Sequence, residues 1–263
     1  MGVIKRVPVK KRRLRRWAVL AALVAGFMPI LLLGAAANPN ALWTIVHDQC
    51  VPDQTRLGHP APCAKVDLAR GYVLLKDLVG ATQYLLLPIA RITGIESPVL
   101  LQPQTPNFFA DAWAETKLVD KKLGQTLPRQ DLSLAVNSIY GRTQNQLHIH
   151  IDCIAPAVAA KLSAHIGAVG PYWSPFPVTL AGYGYEAIRI DGARLGGNNP
   201  FMMLAHGLPA ARRHMGQYTL VLVGATFPDG VPGFILLADR ANLATGDRGS
   251  GEALQDHRCA IAH

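Results

Sequence analysis

The sequence predicts an α+β fold: an antiparallel sheet carrying two histidines, helices packed on its other face, and a transmembrane helix ahead of both. Three observations predict it. Residues 146–153, "QLHIHIDC", alternate polar and apolar side chains with the two-residue period of a strand. Thr105 to Gly124 carries a helix start, one apolar face and a helix stop. Residues 17–37, "WAVLAALVAGFMPILLLGAAA", contain no charge.

The N-terminus comes first. Residues 1–16 form a basic tail holding Lys5, Arg6, Lys10, Lys11, Arg12, Arg13, Arg15 and Arg16 and no acid. The 21 residues that follow would rise roughly 31 Å as a helix, enough to cross a bilayer core. Cations ahead of such a run place the N-terminus in the cytoplasm and the body outside. A cleaved signal peptide competes, since "GAAANPN" offers small residues for cleavage. The length of the apolar run favours a retained anchor. The net charge of +9 belongs to the tail, because the rest holds 18 basic and 17 acidic residues. A near-neutral body excludes nucleic acid as the expected partner.

The body, residues 41–263, is expected to be one exported domain. Its four cysteines, Cys50, Cys63, Cys153 and Cys259, read as two disulfides in an exported chain, with three connectivities open. No C-x-x-C pair supports a zinc or thioredoxin-like motif. Ala41–Cys50 reads as a short helix and 50–63 as a proline-rich loop. Gly71–Leu78 and Gln83–Pro88 read as a strand hairpin. In the helix 105–124, Thr105 can cap, Pro106 suits the first turn, and Gly124 stops it. Leu132–Ser138 reads as a strand and "APAVAAKLSAHIG" as a helix after the histidine strand. "YEAIRI", "YTLVLVGA" and "GFILLADR" read as strands around a helix starting at Pro200. This loosely repeats the first half and suggests a degenerate second half-repeat.

On the histidine strand, Leu147, Ile149, Ile151 and Cys153 share one face, and Gln146, His148, His150 and Asp152 the other. The bland reading is a half-exposed strand with incidental histidines. A second reading is a zinc site, since "HIHID" matches H-x-H-x-D; the metallo-β-lactamase motif continues with histidine where Cys153 stands. The 2H phosphoesterase pattern requires Thr or Ser two residues after each histidine, and neither is present. The fourth reading is the histidine-triad pattern, His-φ-His-φ-His, with Gln146 in the first place, His148 in the middle and His150 last.

The surroundings extend that last pattern. Asn137, Gly141 and Thr143 precede the triad, and "LLKDL … LLLP" supplies Asp77 and Pro88. Residues 71 to about 154 therefore resemble a histidine-triad domain. With "ESP", "TPNFF", "GRTQN", "PFMMLA" and "HMG-x-Y" added, Cys50 to Cys259 resembles the bacterial CDP-diacylglycerol pyrophosphatases. Gln146 departs from the triad pattern.

The resemblance implies hydrolysis of CDP-diacylglycerol to CMP and phosphatidate, with no cofactor and no metal. The partners it implies are a lipid-linked nucleotide and membrane lipid. With the anchor, it implies a single-pass inner-membrane protein with a periplasmic domain. His148 is the expected nucleophile and His150 its catalytic neighbour. Gln146, Thr143, Asn137, Asp77, Lys76 and Arg142 are the expected substrate-binding residues, with Asp77 on the ribose. Asp152 receives no role, and the scattered histidines, His257 among them, read as structural or exposed. The expected disulfides are Cys50–Cys63, closing a loop rich in turn formers, and Cys153–Cys259, tying the histidine strand to the C-terminal region. Two alternatives stand beside this: an exported nucleotide-binding module with a degenerate histidine-triad fold, and a zinc hydrolase using H-x-H-x-D.

Overall fold

A computed structural model describes residues 1–3, 38–209 and 211–263. Nine strands form one sheet: β1 (Lys65–Asp67), β2 (Tyr72–Lys76), β3 (Tyr84–Pro88), β4 (Leu132–Val136), β5 (Ile149–Cys153), β6 (Ser174–Pro175), β7 (Glu186–Asp191), β8 (Tyr218–Thr226) and β9 (Pro232–Arg240). The order is β1-β2-β3-β5-β4-β8-β9-β7-β6, and every neighbouring pair is antiparallel. Read outward from the β4–β8 seam, both directions follow the same scheme: β4, β5, β3, β2 on one side and β8, β9, β7, β6 on the other.

The expected α+β fold with packed helices behind a transmembrane helix is corrected. The sheet dominates, and its helices are few and short. Helix 105–124 is in fact two helices of seven residues, Phe108–Ala114 and Lys117–Leu123. Asn107, not Thr105, caps the first, accepting the Ala110 N–H at 3.2 Å. The break falls at Glu115, whose carboxylate is drawn to Lys65 at 2.6 Å and to the Tyr72 hydroxyl at 2.8 Å. These tertiary bonds outweigh the fraction of a kcal/mol per residue that separates helix propensities. Gly124 ends the second helix with φ 73°. Among the described residues no helix is long and apolar enough to cross a membrane, which overturns the expected single-pass inner-membrane placement. The expected span, 17–37, itself lies outside the described residues.

Other differences are local. Helical backbone continues through 41–57 where a loop was expected after Cys50, because Pro52 sits in the first turn, where its missing N–H costs nothing. The helix from Pro200 ends at Gly207, before Pro209, which disfavours helical backbone at the residue ahead of it.

Each face of the sheet has its own packing. Ile149, Ile151 and Cys153 join Leu74, Leu86, Leu134, Phe109 and Phe201 in the main core under the helices. The opposite face carries two smaller clusters. One holds Val73, Leu75, Leu85 and Leu87 against Val46 and Cys50 of the helical run. The other holds Ala135, Val221, Val223, Ile235 and Leu237 with Leu254. Disulfides Cys50–Cys63 and Cys153–Cys259, with Cα–Cα distances of 5.6 and 5.2 Å, match the expected pairing.

Candidate active site

The strand period delivers His148 and His150 to the face opposite the main core. In register, His150 lies between Leu85 of β3 and Ala135 of β4. Leu85 belongs to one small cluster and Ala135 to the other, so the histidines occupy the gap between them. There a cleft of about 790 Å³ opens, lined by His148, His150, Asn137, Arg142, Thr143, Lys76 and Asp77. Its walls also include Leu42, Ile45, Leu78 and Val79.

His148 precedes β5 by one residue. Its Nδ1 lies 2.7 Å from the Gln146 carbonyl oxygen. A carbonyl only accepts, so Nδ1 carries the proton and Nε2 keeps its lone pair. The residue is 8 % exposed. Burial holds its pKa below the usual histidine value, and the nearby Arg142 pushes the same way. His148 is therefore a neutral imidazole with a fixed tautomer.

The His150 ring stands edge-on to His148, with centroids 4.9 Å apart. The Gln83 amide donates to its Nδ1 at 2.6 Å, which leaves the proton on Nε2. That Nε2 is buried and has no partner among the described residues, so a donor waits beside the cleft. Burial pushes the His150 pKa well below its usual value, aided by His148 and His257. Glu252 lies 3.1 Å from the same Nδ1, and burial raises its pKa.

The remaining expected residues divide. Asn137 is 4 % exposed, and its side-chain Oδ1 accepts the Glu252 N–H at 3.3 Å. Asp77 accepts the Val79 N–H at 3.1 Å, which shapes the β2–β3 turn. Lys76 Nζ donates to the carbonyls of Asp77 and Gly80 at 2.8 and 3.1 Å, and burial lowers its pKa. Arg142 makes a two-pronged pair with Glu96 at 2.5 and 2.7 Å. Burial alone would raise the Glu96 pKa, and the guanidinium more than offsets it. Thr143 is exposed on the rim. Gln146 is the residue that the cleft does not gather. Its amide donates to the carbonyls of Pro88 and Ala90 at 2.9 and 3.0 Å, away from the lining.

Four side chains join the site without having been expected: Gln83, Glu252, Asp152 and His257. Asp152 is fully buried. Its Oδ1 accepts from Thr82 Oγ1 at 2.6 Å and from the Cys153 N–H at 2.9 Å. Its Oδ2 lies 2.8 Å from His257 Nδ1. His257 lines the cleft, against its expectation as a scattered histidine. One signal could have found it: with Cys259 paired to Cys153, residue 257 must lie near residue 152. Among the described residues no three His, Cys, Asp or Glu side chains are grouped to hold a metal ion. The Asp152 carboxylate that H-x-H-x-D would supply is already committed to Thr82, Cys153 and His257.

A family model described as CDP-diacylglycerol pyrophosphatase matches residues 37–263. A CDP-diacylglycerol pyrophosphatase of Yersinia pestis is 43 % identical over 251 residues, which cover 95 % of this chain and 95 % of that protein. With the match running through the whole described body, cleft included, this chain belongs to the CDP-diacylglycerol pyrophosphatase family.

Proposed function

We propose that this chain hydrolyses the pyrophosphate bond of CDP-diacylglycerol to CMP and phosphatidate, with His148 as nucleophile. Family membership supports the reaction. The observation that carries the mechanism is the 2.7 Å bond from His148 Nδ1 to the Gln146 carbonyl. It fixes Nε2 as the atom with the lone pair, and a buried neutral imidazole attacks phosphorus without first losing a proton.

Nε2 attacks the cytidylyl phosphorus, a P–N bond forms, and the bond to the phosphatidate oxygen breaks. Water then attacks the same phosphorus, and the P–N bond returns its electron pair to Nε2. One difficult displacement becomes two easier ones. His150 donates from Nε2 to a phosphoryl oxygen, supplying the preorganised stabilisation that such a charge needs. Thr143 and the backbone of the 141–143 turn bind the other oxygens, Asn137 orients them, and Lys76 and Arg142 lend positive charge. Asp77 accepts from the ribose hydroxyls. Gln146 contributes its carbonyl to His148 and braces β3 with its side chain. The diacylglycerol end lies along Leu42, Ile45, Leu78 and Val79; Leu78 is fully exposed and Val79 62 % exposed, which suits contact with membrane lipid.

The test is CMP release from CDP-diacylglycerol in detergent micelles, with and without EDTA, followed by rapid alkaline quench. The expected result is activity that survives EDTA, an acid-labile CMP adduct located on His148 by mass spectrometry, and no CMP release from His148→Ala. Full activity of His148→Ala, or activity lost to EDTA and restored by zinc, overturns the mechanism. Binding of CDP-diacylglycerol without CMP release would mark a binding module.

A further inference from the structure

We propose that His257, oriented by Asp152, is the acid–base residue of this site: it protonates the departing phosphatidate and then takes the proton from the attacking water. The inference rests on the reading of His148 as nucleophile. A two-step displacement needs both services, and His148 and His150 supply neither. The first is the nucleophile. The second has Nδ1 occupied by Gln83 and is held neutral by burial.

His257 is built into position from several directions. Its Nδ1 meets Asp152 Oδ2 at 2.8 Å, so Nε2 is the nitrogen left for the cleft that the residue lines. Its carbonyl accepts the Ala81 N–H at 2.9 Å. Gly80, at φ 75°, has no room for a Cβ, which would sit 2.6 Å from the His257 Cβ. Two residues further on, Cys259 is bonded to Cys153, the neighbour of Asp152. Asp152 itself is wholly buried, and among the described residues the His257 ring is the one ionisable group that hydrogen-bonds it. A buried carboxylate that orients an imidazole and favours its charged form is the arrangement general acid–base histidines use.

The charged neighbours agree. Asp152, Glu252 and Asp77 all favour the protonated ring, the Asp152 hydrogen bond most, and burial opposes them. Lys76 lies close enough to feel Asp152, and His150 is neutral. Burial therefore favours neutral His148 and Asp152 favours the protonated form of His257, the pair of states the first step requires.

The proton count closes. His257 Nε2–H passes to the bridging oxygen as the P–O bond breaks, leaving neutral His257 and free phosphatidate. Water then attacks the cytidylyl phosphorus, its proton goes to Nε2 of His257, its oxygen stays on CMP, and His148 leaves. His257 ends as it began. The two steps differ in need. A phosphate monoester has a second pKa of about 6 and leaves readily, whereas water, with a pKa of about 15.7, is a poor nucleophile without a base. Loss of His257 therefore slows the second step most.

His257→Gln, with Asp152→Asn as companion, tests this by rapid quench with cytidine-labelled CDP-diacylglycerol, each variant's urea midpoint being measured alongside. The expected result is a steady-state rate about 100- to 10,000-fold lower, a retained first-turnover burst of phosphatidate, and near-stoichiometric CMP adduct on His148. Asp152→Asn should show a smaller loss of the same kind. A structural role would shrink burst and steady state together. That pattern, or a normal rate in His257→Gln, overturns the proposal. If wild type forms the His148 adduct and His257→Gln does not accumulate it, this inference alone fails; if His148→Ala is fully active, the underlying reading fails first.

Discussion

Gln146→Ala separates a brace from a substrate contact. The Gln146 amide makes two buried hydrogen bonds, to the Pro88 and Ala90 carbonyls, and the residue is completely buried. Each neutral bond contributes about 1 kcal/mol, and each acceptor left without a partner costs about 1–3 kcal/mol. Solvent or local relaxation will recover part of this, so the expected loss is about 2–4 kcal/mol. With an m-value of about 3 kcal/mol/M, the urea midpoint falls by about 1 M. Gln146→Glu should be worse, because a carboxylate has no donor to offer two carbonyls. Gln146→His, which restores a ring donor, should be better tolerated. Unfolding followed by far-UV circular dichroism reads all three, with CMP release measured well below each midpoint. An unchanged midpoint in Gln146→Ala together with a large rise in KM would refute the reasoning, and the side chain would then be a substrate contact.

Four further outcomes are expected. The profile of kcat/KM against pH should be bell-shaped, its acid limb below the ordinary histidine value because burial lowers His148, its alkaline limb above it because Asp152 raises His257; His257→Gln should erase the alkaline limb. The same raised pKa stabilises the fold fully below about 6.5 and ceases to do so as pH rises through the folded-state value, so the stability gap between wild type and His257→Gln should narrow at alkaline pH in urea titrations. Replacing Cys153 and Cys259 together by serine opens a 106-residue separation and should cost about 4–5 kcal/mol by loop closure, read as a lower melting temperature in calorimetry, with activity lost below that temperature as His257 is released. Arg142→Ala strips the half-buried Glu96 of its partner and removes a cation from the cleft; about 1 kcal/mol of stability lost and a several-fold higher KM are expected from urea unfolding and steady-state kinetics.

The legible parts of the sequence were those governed by short-range rules. Alternation in "QLHIHIDC" placed Ile149 and Ile151 in the core and both histidines on the opposite face, because a strand leaves no other option. The resemblance to the histidine-triad pattern singled out Asp77, Asn137 and Thr143, and all three line the same cleft. The helix 105–124 was misread because its break depends on Lys65 and Tyr72, more than 40 residues away in sequence. Gln146 stands in the first place of the triad pattern, which implies a substrate contact, but strand alternation gives a side, not a direction. Its amide turns to the end of β3. Glu252 and His257 sit in no motif, and they reach the cleft only through the sheet's long-range closure and the Cys153–Cys259 bond.

The β4–β8 seam has a practical consequence. Each strand would otherwise present a row of unpaired N–H and C=O groups, and both are almost entirely buried along their length. Such edges recruit other chains when they are open. Here a covalent tether supplies the partner, so the effective concentration of one half around the other is set by chain length and not by dilution. Closing this seam requires no second copy, and specific activity should not fall on dilution through its opening. A nick in the stretch between β5 and β7 would leave the two fragments joined through Cys153–Cys259, and only reduction of that bond as well would make the pairing bimolecular and bare both edges to aggregation.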